Sequence, residues 1–208
     1  MVRIAVMVSG GGTNLQALIN AQKAGLFPKG EIKLIISSSE NAYALERAKQ
    51  AGIETMVISR RNYVSGELFD LANVTALKDH EIDLVVLAGY LSILGPAMIQ
   101  AYPDRILNIH PSLIPSFCGK GFYGLKVHEE ALARGVKITG ATVHVVNEIP
   151  DGGRILIQKP VAVQEGDTPE VLQKRVMEEA EWVILPEAVR QVTEAIAEEK
   201  ENESSRLI

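Results

Sequence analysis

Short runs of apolar residues recur along the chain and alternate with stretches whose apolar positions follow a helical period. Three runs are almost unbroken, namely Ile4–Val8, Ile32–Ser37 and Asp83–Ala88. Such runs are typical of parallel strands that are buried on both faces. Two weaker runs, Met56–Ser59 and Arg105–Ile109, predict further strands of the same sheet.

The stretches between these strands predict helices. Apolar residues recur three and four positions apart in Asn14–Ala24, Ala42–Ala51 and Gly66–Asp79. Strands that alternate with helices in this way indicate an α/β protein. We therefore predict a doubly wound, mostly parallel open sheet whose strands are joined by right-handed crossovers.

The pattern changes after residue 140. Ala141–Val146 and Ile155–Val163 are rich in β-forming residues, and the segment 148–153 between them is rich in turn-forming residues. This arrangement predicts an antiparallel pair of strands that extends the sheet near the C-terminus.

A long helix is predicted after the second of these strands. Thr168 can cap its first turn, Pro169 suits the first helical position, and Pro186 is expected to kink or divide it. No repeat or low-complexity tract interrupts the sequence, so we predict a single domain over residues 1–208. Within it, about 198–208 are expected to form a solvated C-terminal tail.

Composition narrows the classes of function. The chain has 208 residues, of which 26 are acidic and 21 basic, and its net charge of −5 argues against a general nucleic-acid-binding protein. Its single cysteine, Cys118, excludes a disulfide framework and is typical of a reducing compartment. The apolar run at the N-terminus is too short for a signal peptide, and no run approaches the length of about 18 residues that spans a bilayer. We therefore expect a soluble, cytoplasmic protein with no membrane partner.

A glycine-rich loop, Ser9–Leu15, follows the first predicted strand and opens the first helix. Free N–H groups at a helix start suit a phosphate. The pattern Gly10-x-Gly12-x-x-Leu15 lacks the third glycine of the dinucleotide fingerprint, and a Gly-Lys-Ser/Thr phosphate loop is absent. Three interpretations stay open here: a tight turn, a phosphomonoester site and a dinucleotide site.

Asn108 and His110 lie two positions apart on a predicted strand, so their side chains share a face. Pro111 ends this strand and places the pair near its carboxyl end, where open α/β sheets bind ligands. An amide donor beside an imidazole can polarise a carbonyl while the imidazole moves protons. The alternative is that the histidine satisfies a loop carbonyl and the asparagine closes a turn.

Asp151 is the third candidate, within the sequence Pro-Asp-Gly-Gly. Its ordinary role is that of a turn residue, and its functional role is to orient an imidazole and favour the charged form. A metal site is not predicted, because His110, His128 and His144 lack ligand-like spacing and only one cysteine is present.

Four segments occur in an order that resembles the phosphoribosylglycinamide formyltransferases, a branch of the folate-dependent formyltransferase superfamily. They are the glycine loop at 9–16, Leu87–Tyr90, Asn108–Pro115 and the stretch 140–153. The resemblance covers about residues 1–190. It implies formyl transfer from 10-formyltetrahydrofolate, a co-substrate, to the amine of N1-(5-phosphoribosyl)glycinamide in de novo purine biosynthesis. It also implies small-molecule substrates, no metal and no nucleic acid, and it leaves open a monomer or a homodimer.

The resemblance also implies residue roles. His110 would be the general acid and base, Asn108 would stabilise the oxyanion, and Asp151 would raise the pKa of the histidine. The residues implied for phosphoribosylglycinamide are Gly12, Thr13, Asn14 and Glu181, the last placed five positions before Pro186 with one inserted residue. The residues implied for folate are Leu91, Ser92, Ile93, Leu94 and Asn108.

Two departures from the family pattern concern the folate region. Many members carry arginine where Ser92 and Gly66 stand, so another cation must meet the folate tail. The candidates are Arg60, Arg61 and Lys120. The segment Phe117–His128, which contains Cys118, is longer than in shorter members, and it is either a mobile cover over the site or a plain surface loop.

Three alternative functions make different demands on the sequence. A formyltetrahydrofolate hydrolase would be expected to carry an additional N-terminal regulatory domain, and a methionyl-tRNA formyltransferase an additional C-terminal RNA-binding domain. A non-catalytic nucleotide- or folate-binding regulator would not need Asn108, His110 and Asp151 together. These three residues favour an enzyme.

Overall fold

The computed structural model describes residues 1–206, and Leu207 and Ile208 lie outside the described residues. Its strands are β1 (Val2–Val8), β2 (Gly30–Ser37), β3 (Glu54–Val57), β4 (Leu84–Leu87), β5 (Ile106–His110), β6 (Ile138–Val145) and β7 (Ile155–Ala162). They form one sheet in the order β3-β2-β1-β4-β5-β6-β7. Strands β1 to β5 pair in parallel, whereas β6 and β7 add antiparallel to the β5 edge. The predicted fold class is confirmed.

Helices connect the strands and cover both faces of the sheet. They are α1 (Thr13–Lys23), α2 (Tyr43–Gln50), α3 (Gly66–Asp79), α4 (Pro96–Ala101), α5 (Leu125–Arg134), α6 (Pro169–Val176) and α7 (Trp182–Arg206). A 3₁₀ turn spans Arg60–Asn62, and a π turn spans Met177–Glu181. Helices α4 and α5 are not predicted from the sequence. The six residues of α4 are too few to show a helical period, and α5 begins inside the segment Phe117–His128, for which a cover or a surface loop is predicted.

Strand β1 shows why the apolar runs are unbroken. Ile4 and Val6 belong to a core between the sheet and helices α1, α2, α6 and α7. Ala5 and Met7 belong to a second core, with Phe69 and other residues of α3 and α4 on the opposite face. Because successive side chains of a strand point to opposite faces, a strand with two cores needs apolar residues at every position.

The chain order places the carboxyl ends of β1 and β4 side by side. From β1 the chain proceeds outward to β2 and β3, then returns to β4 on the other side of β1. Such a reversal of strand order leaves a crevice at the carboxyl edge, where α/β proteins bind ligands. The glycine loop and the segment after β4 both lie at this edge.

The C-terminal helices differ in one respect from the prediction. The Thr168 hydroxyl accepts a hydrogen bond from the Val171 N–H and Pro169 is at the first turn of α6, as predicted. Pro186 lies inside α7 and does not divide it, so that part of the prediction is wrong. The interruption of the C-terminal helical segment is the π turn Met177–Glu181, which lies between α6 and α7.

The predicted tail is a continuation of this helix. Helix α7 extends to Arg206, and residues 198–205 are exposed along it. The rest of the predicted tail, Leu207 and Ile208, lies outside the described residues. Within residues 1–206, the helices are all too short or too polar to cross a bilayer.

Candidate active site

The side chains of Asn108 and His110 lie at the carboxyl end of β5, next to the antiparallel strand β6. The His110 ring is only 4% exposed. Its Nδ1 is 3.6 Å from Oδ2 of Asp151, and its Nε2 is 2.8 Å from the carbonyl oxygen of Phe117. The structure thus brings together the three residues that were predicted to perform the chemistry.

Asp151 reaches this group from the turn between β6 and β7. Its φ of 55° is in the left-handed region, which aspartate tolerates better than most residues. Its Oδ1 is 3.4 Å from the Asn108 amide nitrogen, and its Oδ2 accepts a hydrogen bond from the Gly119 N–H at 2.8 Å. Asp151 is therefore both a turn residue and a member of the site.

Burial controls the charge on His110. Loss of solvent lowers the pKa of His110 below 6.5, although the Asp151 charge and the Phe117 carbonyl act in the opposite direction. The predicted upward effect of Asp151 is present, but burial outweighs it, so the ring is neutral at neutral pH in the absence of substrate. Burial alone would raise the pKa of Asp151, but its contacts with His144, His110 and the Gly119 N–H together lower it. The carboxylate is therefore ionised.

The segment that follows β5 covers the site through two backbone groups. These groups are the Phe117 carbonyl, which contacts His110, and the Gly119 N–H, which contacts Asp151. The ring nitrogen of His110 that does not face Asp151 is thus already bonded to this segment. A substrate that uses this nitrogen must displace the Phe117 carbonyl.

The glycine loop packs against the start of α2. Gly12 has a φ of 71°, and a Cβ at this position would be 2.6 Å from Cβ of Ala44. The Ala44 N–H donates to the Gly10 carbonyl at 3.1 Å, and Arg47 Nε donates to the Gly11 carbonyl at 2.8 Å. Gly12 is the N-cap of α1, and no side chain among residues 1–206 caps this helix. Its first N–H groups are therefore free to bind an anion.

Asn14 and Glu181 form a buried pair beside this helix start. The Asn14 amide donates to Glu181 Oε2 at 2.7 Å. Burial raises the pKa of Glu181 to about 7, and the bond from Asn14 opposes that shift. Next to this pair, the Thr13 hydroxyl lies 3.7 Å from the sulfur of Met177. All residues predicted to bind phosphoribosylglycinamide are thus near the start of α1.

The π turn Met177–Glu181 lies in the segment where the resemblance implies one inserted residue. A π turn accommodates one extra residue within a helix, and it often occurs at functional sites. Glu181 is its last residue. Glu181 therefore reaches Asn14 from the end of a widened turn.

Replacement of Glu181 by glutamine is expected to stabilise the ligand-free protein at high pH. The Glu181 carboxyl has a pKa of about 7 in the folded protein, against an ordinary value of 4.5. Its contribution to the free energy of unfolding is therefore fully present below pH 4.5 and is lost as the pH rises to about 7. The variant should therefore match the wild type near pH 4 to 5 and exceed its free energy of unfolding by about 2–4 kcal/mol near pH 8. Urea unfolding at both pH values measures this. Glu179→Gln, an exposed position on the same turn, is the control and should show no such pH dependence.

The segment predicted to bind folate follows β4. Leu91 and Ile93 are 63% and 76% exposed, whereas Leu94 is buried. The Leu91 N–H donates to the Ser9 hydroxyl at 2.8 Å, which ties this segment to the glycine loop. A cavity of about 520 Å³ lies next to it, and its lining includes Ile93, Gly66 and Arg60. Arg60, one of the three candidate cations for the folate tail, therefore lines this cavity.

A larger groove, of about 740 Å³, lies between α1 and α7. It reaches Thr13 at one end, but its lining does not include His110 or Asp151. A carboxylate and a guanidinium that line it, Glu187 and Arg190, are paired with each other, whereas the residues predicted to perform the chemistry lie outside it. Within the described part of the chain, no three His, Cys, Asp or Glu side chains are grouped to hold a metal ion.

Sequence reasoning missed two parts of the site. His144 was considered only as a metal ligand, yet it lies opposite Asn108 in the β5–β6 pairing and contacts it. The available signal was that His144 is the one titratable residue of a strand whose other side chains carry no charge. The Phe117 carbonyl and the Gly119 N–H are backbone groups, so the residue types in the sequence do not indicate their contacts.

Comparison with known proteins defines the class. A family model described as formyl transferase matches residues 2–189, and the chain belongs to this family. Its sequence is 40% identical over 202 residues to phosphoribosylglycinamide formyltransferase of Haemophilus influenzae, with 97% of this chain and 92% of the relative covered. The resemblance predicted from the sequence is confirmed.

Other relatives are longer proteins. The chain is 39% identical over 199 residues to the chloroplastic phosphoribosylglycinamide formyltransferase of Arabidopsis thaliana, covering 95% of this chain but 66% of the relative. It is 40% identical over 200 residues to the human trifunctional purine biosynthetic protein adenosine-3, covering 96% of this chain and 19% of that protein. The chain thus spans just under two thirds of the first and about one fifth of the second.

Solved structures share the fold. Glycinamide ribonucleotide transformylase 1 of Symbiobacterium toebii matches with a TM-score of 0.88 and 44% identity, over 94% of this chain and 89% of that one. Phosphoribosylglycinamide formyltransferase of Bacillus halodurans matches with a TM-score of 0.85 and 38% identity, over 91% and 94%.

Proposed function

We propose that this protein transfers the formyl group of 10-formyltetrahydrofolate to the amine of N1-(5-phosphoribosyl)glycinamide, in de novo purine biosynthesis. The observation that carries the proposal is the convergence of Asn108, His110 and Asp151 at the carboxyl end of β5. Asp151 lies within 3.6 Å of both other side chains. This arrangement supplies a donor, a base and an orienting carboxylate at one point.

The residues of the site have complementary tasks in such a transfer. When bound, the folate supplies the formyl group. As the amine attacks the formyl carbon, the carbonyl oxygen gains negative charge, and the Asn108 amide donates a hydrogen bond to it. Once the substrate displaces the Phe117 carbonyl, neutral His110 with its hydrogen on Nδ1, facing Asp151, accepts the proton of the attacking nitrogen at Nε2 and then donates it to the departing folate nitrogen. Asp151 stabilises the imidazolium ion between these steps.

The binding residues are suited to the two substrates. The uncapped start of α1 at Gly12 offers N–H groups to the substrate phosphate. Asn14 and Glu181 offer a buried amide and carboxylate to ribose hydroxyls. The exposed Leu91 and Ile93 offer apolar surface to the folate rings.

The remaining predictions belong to the same proposal. We infer small-molecule substrates, no nucleic-acid partner, and a monomer or a homodimer. The net charge of −5 supports the absence of a nucleic-acid partner, and the single cysteine supports a cytoplasmic location.

One assay separates the proposed function from its alternatives. The protein is mixed with 10-formyltetrahydrofolate, with and without phosphoribosylglycinamide, and the folate absorbance is followed. Turnover that requires the amine supports transfer. Turnover without the amine indicates a hydrolase, and no turnover in either mixture indicates a binding protein.

The Asp151→Asn variant tests the role of the carboxylate. Asp151 opposes the effect of burial on the pKa of His110, so its neutralisation should lower that pKa further. NMR titration of the His110 ring measures the change. Asp79→Asn, an exposed position at the end of α3, is the control and should leave the titration unchanged. An unchanged His110 titration in the Asp151 variant would reject the electrostatic role of Asp151.

A further inference from the structure

A second buried histidine lies beside the reacting groups. His144 is 1% exposed and is paired with Asn108 across strands β5 and β6. Its Nδ1 is 3.0 Å from the carbonyl oxygen of Val145. Its Nε2 is 3.1 Å from the amide nitrogen of Asn108 and 3.5 Å from Oδ1 of Asp151.

These contacts define which ring nitrogen carries the hydrogen. A carbonyl oxygen only accepts hydrogen bonds, so Nδ1 of His144 must be the N–H that faces Val145. In the neutral ring Nε2 is then a bare acceptor, and its hydrogen-bonding contact is with the Asn108 amide nitrogen at 3.1 Å and not with the Asp151 oxygen at 3.5 Å. Only the NH₂ end of the Asn108 amide can bond to a bare ring nitrogen, so its carbonyl oxygen must point elsewhere.

The two hydrogens of the Asn108 amide are held unequally. One bonds to His144 at 3.1 Å, whereas the contact of the amide nitrogen with Asp151 is 3.4 Å, near the limit for a hydrogen bond. The second hydrogen is therefore weakly held on the side of Asp151 and His110. This N–H can donate instead to another nearby oxygen without disturbing the bond to His144.

We infer that His144 is a positioning residue that locks the Asn108 amide so that a donor, and not a carbonyl oxygen, faces the reacting formyl group. The inference rests on the proposed function for the identity of that group. A flipped amide would present lone pairs to the developing oxyanion. Loss of one such donor lowers kcat by about 10²–10³-fold in other enzymes.

Two variants of His144 separate positioning from a structural role, because each retains one of the two contacts of the ring. In His144→Gln, the side-chain oxygen can occupy the place of Nε2 and accept from Asn108. In His144→Asn, the amide can occupy the place of Nδ1 and donate to Val145. We expect the Gln variant to retain kcat within about 10-fold and the Asn variant to lose about 10²-fold, with the KM of both substrates nearly unchanged. The reverse order, equal losses or no loss would overturn the inference.

A second measurement uses the ligand-free protein and does not depend on activity. In uniformly ¹⁵N-labelled protein, we expect a scalar coupling across the hydrogen bond between Asn108 Nδ2 and His144 Nε2. We also expect ¹⁵N shifts that show Nδ1 of His144 protonated and Nε2 bare. The coupling should vanish in His144→Asn. A ring protonated at Nε2, whether or not Nδ1 is protonated, or wild-type protein without the coupling, would contradict the inference.

The two measurements distinguish the failure of this inference from that of the proposed function. If the coupling is present but the wild type shows no amine-dependent turnover, His144 positions the Asn108 amide and the proposed function is wrong. If turnover requires the amine but the coupling is absent, the proposed function holds and the inferred positioning role of His144 is wrong.

Discussion

Replacement of His110 by alanine is expected to lower kcat by about 10²–10⁴-fold, the usual contribution of a positioned acid and base. The ring accepts the proton of the amine and returns it to the leaving nitrogen, and Asp151 and Asn108 cannot substitute for it. Asp151 is ionised but has no proton to donate, and the amide of Asn108 does not titrate. The amine-dependent absorbance assay measures kcat, and circular dichroism checks that the variant is folded.

His80→Ala provides a matched control for this experiment. Like His110, His80 contacts a backbone carbonyl and a carboxylate, with Nδ1 2.7 Å from the Ala76 oxygen and Nε2 3.2 Å from Glu54. It lies at the end of α3 and has no part in the site, so its replacement should leave kcat unchanged. Near-normal turnover by folded His110→Ala would show that another group moves the proton.

Replacement of Gly12 by valine is expected to weaken the binding of phosphoribosylglycinamide by about 10–100-fold, the equivalent of one lost charge-assisted hydrogen bond. A side chain at Gly12 would collide with Ala44, so the loop must move and the first N–H groups of α1 must shift. Because His110 is not displaced, kcat at saturating substrate should change much less than KM. The same substitution should lower the free energy of unfolding by about 2–5 kcal/mol, through the left-handed φ and the collision together.

Gly52→Val separates these two costs. Gly52 has a φ of 70°, close to that of Gly12, but a Cβ there would have no atom within 4 Å. Its replacement should therefore cost only the left-handed conformation, about 1–2 kcal/mol, and leave KM unchanged. Urea unfolding and steady-state kinetics measure both quantities. Normal affinity of Gly12→Val for the phosphorylated substrate would show that the phosphate binds elsewhere.

The fold was predictable because its strands carry a strong signal. Two buried faces require the unbroken apolar run of β1, and the Thr168-Pro169 pair is a direct helix-start signal. Helix α4, Pro96–Ala101, is too short to show a period. The prediction that Pro186 divides the helix was wrong because Leu185, Ala188 and Val189 around it are buried in the core, and this packing outweighs the missing N–H.

The site was predictable in its residue types and not in its electrostatics. Asn108 and His110 share a strand face by simple alternation, and Asp151 was expected near the imidazole. The pKa of His110 depends on whether burial of the ring outweighs the charge of Asp151. The extent of that burial is set by packing across the whole sheet edge. His144 contacts the site through the antiparallel pairing of β5 and β6, a register that is defined only when the strands are assembled.

The π turn Met177–Glu181 has a consequence for how this segment tolerates a change in length. Insertions inside a helix normally rotate every later side chain by about 100°, which follows from 3.6 residues per turn. A π turn confines one extra residue to a single widened turn, and Glu181, its last residue, reaches Asn14. The turn therefore separates the length of this helical segment from the direction in which the Glu181 side chain points.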